Sequence, residues 1–318
     1  VSDSARTAST IGRFGLATIE EDGGLLRSAV MTERGVLPLA QLFGAEAPLS
    51  VRGLLGDWDG WCDRIADALD ALHGSDPGWI APAEVSFAAP LPDPSNMYLA
   101  GANYHDHVAE MMTYASAMRS GAADEPAEAV FHFMVPSTSL VGTGHDVVRP
   151  KGAENLDWEV ELAVVIGRRA DKVAAQDGLA YVAGYAVAHD VSVRGPQTMH
   201  PIFGVRFIEA KGQATLTPMG PMIVPARFVP DPQNLTLSTR VNGELRQDSS
   251  TKQMMSTVAE QIAILSDRAP LIPGDIIFTG TPAGTAAAYG SFLADGDVVT
   301  MTVEGLGILE NTITGTPA

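Results

Sequence analysis

Along residues 10–42, short apolar runs are broken by Asp-Gly-Gly and Arg-Gly, the punctuation of β-hairpins. Over 58–73 the apolar positions Trp61, Ile65, Ala68, Leu69 and Leu72 fall at helical spacing, and the pattern stops at Gly74. Residues 75–96 are dense in proline and read as an extended connector. From Met97 the pattern predicts short strands at 97–101, 130–134, 156–167, 181–190, 205–210, 220–224, 235–241, 275–279, 297–303 and 307–313, with helices around 104–118 and 253–268. Strands so outnumber helices that a doubly wound α/β sheet is disfavoured. The expected class is α+β and β-rich, a roll or sandwich with peripheral helices, in which a small α+β unit and its connector (1–92) precede a larger domain (93–318). The segment SGAADEPAEA at 120–129 reads as a surface loop or a flap over a site.

One predicted strand contains a costly feature. In LDWEVELAVVIG, Glu159 and Glu161 are one residue apart within an apolar, β-branched run. Residues i and i+2 of a strand share a face, so the two carboxylates occupy one patch. They would take up a proton unless a cation compensates them, and a hard divalent ion does this well. The ordinary alternative is a solvated acidic face. Asp190, at the end of the apolar run in AGYAVAHDVSVRGPQ, is a third carboxylate, or else a helix N-cap. Three oxygen donors, without a Cys/His cluster, favour Mg²⁺ or Mn²⁺ over Zn²⁺.

Composition narrows the partners. With 20 Lys+Arg against 38 Asp+Glu the 318-residue chain carries a formal charge of -18, so nucleic acid and anionic membrane surfaces are not expected partners. No stretch approaches the length of a membrane span, the first residues lack a secretory h-region, and the single Cys62 suits a reducing compartment. A cytoplasmic protein is the expectation.

Three further segments carry candidate chemistry. In GANYHDHVAEM, Asn103 can cap a helix on which His107 and Glu110 share a face, a pair able to act as general base on a water. Competing readings are an H-x-H zinc site made by His105 and His107 on a strand, and a simple surface ion pair. Lys211 is either a snorkelling surface lysine or the cation that stabilises an enolate or oxyanion. GDIIFTGTPAG (274–284) lacks the ending of a phosphate loop, but its backbone N–H groups and the Thr281 hydroxyl can hold a substrate carboxylate.

Taken in order, GANYHDHVAEM, LDWEVELAVVIG, GYAVAHDVSVRGPQ, the AKG of 210–212, MGPMIV, RVNGELRQ and PGDIIFTGTPAG resemble the fumarylacetoacetate hydrolase superfamily over roughly residues 90–318. The resemblance implies a mixed β-sandwich roll, usually a homodimer, with Mg²⁺ or Mn²⁺ held by Glu159, Glu161 and Asp190. It also implies His107 and Glu110 as the water-activating pair, Lys211 as the active-site lysine, Gln197, Tyr104 and Arg194 near metal and substrate, and Thr281 as the carboxylate-binding residue. Val135 stands where many relatives have a lysine, which implies a more apolar or differently charged ligand, and GPQ replaces the usual D-x-Q. The leading functional expectation is hydrolysis of a carbon–carbon bond in a 1,3-diketo, acylpyruvate-like compound. Oxaloacetate-type decarboxylation and enol–keto tautomerisation or isomerisation on the same scaffold are the alternatives. A metal-binding protein without catalysis is a third class, and it gives no reason for Lys211 and the His107–Glu110 pair to be present together.

Overall fold

The computed structural model describes residues 13–72, 76–118 and 130–316, so the 120–129 segment and Gly74 lie outside the described residues. Most strands belong to two sheets. The larger has eleven strands and runs, from one edge, through Gly35–Pro38, Leu25–Thr32, Gly15–Glu21, Thr217–Pro225, Val182–His189, Val160–Ile166, Ile276–Phe278 and Met97–Gly101 to Phe131–Met134. It is mixed: most neighbours are antiparallel, whereas Ile276–Phe278 runs parallel to Met97–Gly101. The second sheet orders Glu244–Ser250, Thr236–Val241, Val298–Val303, Ile308–Thr314 and Val147–Val148. The class is α+β and sheet-rich, as the strand count predicts.

The central strand shows why its sequence is an unbroken apolar run. Leu162, Val164 and Ile166 join one core cluster with Leu237, Val299, Met301 and Leu309 of the second sheet. Ala163 and Val165 join another with Cys62 and Ile65 of the Trp58–Ala71 helix. A strand covered on both faces has no solvent side on which to alternate polar residues. Cys62 is the small core hydrophobe that a lone cysteine usually is.

Several elements depart from the sequence reading. The strand predicted at 156–167 is two strands, Asn155–Asp157 and Val160–Ile166, with a break at Trp158 and Glu159. Their partners break opposite them: Asn155–Asp157 pairs with Ser192–Arg194, and Val160–Ile166 pairs with Val182–His189. Residues 207–210 form a short helix rather than the predicted strand, with the Phe207 ring stacked on Phe133 at 4.3 Å. The 253–268 helix begins only at Val258, where Thr257 and Glu260 form a capping box. The strand Glu244–Ser250, which carries Gln247, has no counterpart among the predicted elements.

Candidate metal centre and active site

The coincident break in two neighbouring strands builds the site. Val160 stands opposite His189 in the ladder, and the Asp190 backbone N–H donates to the Glu159 carbonyl at 3.0 Å. Glu159 and Asp190 are therefore the residues at which both chains leave the large sheet, and Glu161 is the second residue inside it. No helix starts after Asp190, so it is not an N-cap. One carboxylate oxygen from each of Glu159, Glu161 and Asp190 lies within 4.8 Å of the others, and all three residues are buried.

Each carboxylate is held differently. Glu159 accepts from Lys211 Nζ at 2.7 Å, from Ser192 Oγ at 2.8 Å and from Arg194 Nη2. Asp190 accepts from Lys211 Nζ through Oδ2, and its buried Oδ1 has no hydrogen-bond partner among the described residues. Glu161 accepts the backbone N–H of Gly280 at 2.7 Å. A fourth carboxylate, Asp157, is fully buried behind them and bonded to Arg194 Nε at 2.9 Å. Burial would raise the Glu159 carboxyl, but the Lys211 ammonium and the Arg194 guanidinium overcome it and hold it at about 2. At Asp190 burial, helped by Glu159, outweighs Lys211 and pushes the carboxyl up to about 7. Burial, then Asp190 and Glu159, drives Glu161 well above the carboxylate range. Burial acts against the Lys211 ammonium, yet Asp190 and Glu159 raise its pKa and keep it charged.

These observations fit a divalent cation. Four buried carboxylates face two cations, Arg194 and Lys211, and this shortfall of two positive charges adds to burial in raising Glu161 and Asp190. The donors are all oxygens, and the orphaned Asp190 Oδ1 has the unmet demand of a ligand atom. Glu159, Glu161 and Asp190 would hold the ion. Its binding must expel the proton that the raised carboxyls retain near neutrality. Apparent Mn²⁺ affinity is therefore expected to rise by about tenfold per pH unit below about pH 7, where one proton is displaced. Calorimetry in buffers of differing ionisation enthalpy checks this, and a pH-independent affinity would contradict it. The sign reverses for metal-free stability. Carboxyls raised on folding bind protons more tightly in the folded state, so stability falls as pH rises from the ordinary carboxylate range through about 7.

The His107–Glu110 pair lies in the His105–Met118 helix, with Nδ1 of His107 3.6 Å from Glu110 Oε2. Glu110 is anchored by the Gly284 N–H at 2.9 Å. Burial opposes its ionisation, but His107 and the Gly284 N–H together lower its pKa. His107 is near enough to Glu159 to favour that carboxylate's charge. The H-x-H reading fails, because residues two apart on a helix do not share a face and His105 is exposed. Asn103 does not serve as the helix cap: its amide donates to the carbonyls of Thr279 and Ser256 at 2.7 and 3.0 Å and accepts the Ser256 N–H. Tyr104 is fully buried, its hydroxyl has no partner among the described residues, and burial with the negative charges of Glu161 and Asp106 keeps it neutral.

The 280–284 turn joins these groups. Two of its N–H groups serve the protein's own carboxylates, Gly280 holding Glu161 and Gly284 holding Glu110, and are therefore not open to a substrate carboxylate. Both glycines have positive φ, +98° and +93°, and a Cβ would lie 2.8 Å from Asn103 Cβ at Gly280 and 2.4 Å from the Arg246 carbonyl oxygen at Gly284. Thr281 is buried beside Gly280. Gln197 is exposed and donates to the Arg194 carbonyl at 3.3 Å, outside the carboxylate cluster. Val135 is buried in the apolar cluster that includes Met97 and Leu99.

Sequence reasoning passed over Asp157, although Asp157, Glu159 and Glu161 form an i, i+2, i+4 series that was open to notice. It also passed over Ser192 and Gln247. Ser192 follows Asp190 in the same motif, and Gln247 ends the motif RVNGELRQ, but its contact with the site comes from the other sheet and is not visible in the motif itself.

Comparison with known proteins extends the geometry. Residues 96–314 match the family model described as fumarylacetoacetate (FAA) hydrolase C-terminal. The chain is 39% identical over 233 residues, 73% of its length and 70% of the relative's, to the bovine mitochondrial oxaloacetate tautomerase FAHD2B. Maleylpyruvate hydrolase from Sphingobium sp. SYK-6 superposes with a TM-score of 0.72 at 29% identity, over 94% of this chain and all of that one (100%). Fumarylpyruvate hydrolase from Pseudomonas aeruginosa, solved with Mn²⁺ and pyruvate, gives a TM-score of 0.61 at 29% identity over 70% of this chain and 91% of the other. Among the described residues no helix is long and apolar enough to cross a membrane. The family match over most of the chain, joined to a fold shared with these hydrolases, makes the protein a member of the fumarylacetoacetate hydrolase family.

Proposed function

We propose that this chain is a divalent-metal-dependent enzyme that interconverts the enol and keto forms of an oxaloacetate-like β-dicarbonyl acid. The observation that carries the reading is the 39% identity to an oxaloacetate tautomerase across a segment holding the carboxylate cluster, Lys211 and the His107–Glu110 pair together. Glu159, Glu161 and Asp190 would hold Mg²⁺ or Mn²⁺, which would supply Lewis-acid stabilisation of enolate charge. The Mn²⁺ in the fumarylpyruvate hydrolase structure supports the choice of ion class.

The chain's own residues supply the proton transfer. His107 presents Nδ1 to Glu110, which leaves Nε2 to exchange a proton with the carbon between the two carbonyls. Glu110, anchored by Gly284, balances the imidazolium that results. The Lys211 ammonium stabilises charge on the enolate oxygen, and the Thr281 hydroxyl takes the substrate carboxylate. Arg194 fixes Glu159 and Asp157, a positioning part.

Carbon–carbon hydrolysis is the second reading. The same His107–Glu110 pair can deprotonate a water, and the two hydrolases of like fold favour it. The test is a panel assay on the purified, Mg²⁺-supplemented protein. Accelerated loss of oxaloacetate enol absorbance, without pyruvate formation, is the expected result. Cleavage of acylpyruvates with no effect on the enol would replace the first reading by the second. We place the enzyme, on its family resemblance, as a homodimer acting on a small molecule and, on its single cysteine, in the cytoplasm.

A further inference from the structure

We infer that Gln247 is a positioning residue that fixes the Thr281 hydroxyl as a hydrogen-bond donor and so selects an acceptor, a carboxylate, in the bound substrate. The inference rests on the reading of Thr281 as the residue that takes the substrate carboxylate. Gln247 lies in the Glu244–Ser250 strand at the edge of the second sheet, is 1% exposed, and among the described residues hydrogen-bonds to none of the candidate metal ligands.

The polarity of its contacts follows from backbone chemistry. Oε1 accepts the Val160 N–H at 3.0 Å and the Thr239 hydroxyl at 2.8 Å. Nε2 donates to Thr281 Oγ1 and to the Pro282 carbonyl, both at 3.0 Å. A flipped amide would set two N–H donors against each other at Val160 and two carbonyl oxygens against each other at Pro282. Only one orientation is therefore tenable. An amide nitrogen cannot accept, so Thr281 Oγ1 is the acceptor in its bond with Gln247. The hydroxyl proton then has to go elsewhere, and among the described residues Thr281 donates it to no partner.

The position of this device gives it a role. Val160 stands between Glu159 and Glu161, and Thr281 follows the Gly280 amide that holds Glu161. One side-chain amide thus locks the recognising hydroxyl to the strand that carries two of the three carboxylates. An ionised carboxylate has only acceptors to offer, so a Thr281 committed to donating matches it and disfavours a group that can only donate.

The test is steady-state kinetics of Gln247→Met, Thr281→Val and the double variant, with oxaloacetate or, if only that is turned over, an acylpyruvate. Gln247→Met should raise KM about tenfold and change kcat less than about threefold, with Mn²⁺ stoichiometry intact, and should add nothing further in the Thr281→Val background. Because Gln247→Met also strips the Val160 N–H, Gln247→Glu is the second variant: when ionised it keeps both accepted bonds, loses the donor and draws in the Thr281 proton, so KM should rise likewise. Thr281→Ser, which keeps the hydroxyl, should restore a near-normal KM. Unchanged KM in both Gln247 variants, or effects that multiply with Thr281→Val, would overturn the inference. A Thr281→Val enzyme with normal KM would instead remove the reading of Thr281 on which it rests.

Discussion

Glu161→Gln is expected to lower Mn²⁺ affinity by at least about 100-fold and, in the same protein, to raise the thermal stability of the metal-free form at neutral pH. The two effects share one cause. Glu161 is 1% exposed, its charge is opposed by burial, Asp190 and Glu159, and it accepts a hydrogen bond from the Gly280 N–H, which a glutamine oxygen accepts equally well. The substitution removes a carboxyl that the metal-free fold must keep protonated at a pH where the unfolded chain ionises it, and with it a ligand that the ion needs. Isothermal titration and a melting curve in chelator check both halves. Reduced affinity with an unchanged or lowered melting temperature would mean that Glu161 is not under electrostatic strain.

The second large effect separates catalysis from metal binding. Glu110→Gln should cut kcat by about 10²–10⁴-fold while leaving Mn²⁺ affinity within a few-fold of the parent. Glutamine keeps the bond from the Gly284 N–H, so the turn stays anchored, but it cannot offset the charge of a protonated His107. Full activity in Glu110→Gln would remove the pair from the mechanism in either reading of the reaction. Lys211 belongs to a different category. It bridges Glu159 and Asp190, and removing one partner from a buried ionic cluster costs roughly 3–5 kcal/mol, so its substitution mixes stability with chemistry.

What could be read from the sequence followed the range over which each signal acts. The apolar alternation and Gly/Pro turns located most strands because burial on a sheet face is written locally. The run LDWEVEL announced an acidic patch for the same reason. The break at Trp158 and Glu159 was invisible, because it exists only where Asn155–Asp157 finds Ser192–Arg194 as partner while Val160–Ile166 stays with Val182–His189. Residues 207–210 were misread as a strand because the stacking of Phe207 on Phe133 joins segments more than seventy positions apart.

The site shows the same division. Glu159, Glu161 and Asp190 could be nominated from their motifs, but the convergence of their oxygens depends on strand register. Asn103 looked like a helix cap from its neighbours, and long-range bonds to Ser256 and Thr279 claimed its amide instead. The glycines of the 280–284 turn suggested ligand-binding N–H groups, and the fold had already assigned two of those to Glu161 and Glu110. A local motif announced that donors would be free there, and only the assembled structure says who takes them.

The three buried carboxylates Glu159, Glu161 and Asp190 are proposed to hold a divalent ion. The most direct measurement is calorimetric titration of Mn²⁺ into exhaustively chelated protein, parent and Glu161→Gln side by side. One ion per chain with proton release in the parent, and strongly weakened binding in the variant, is the predicted result. Equal binding by both proteins, or none by the parent, would contradict the site.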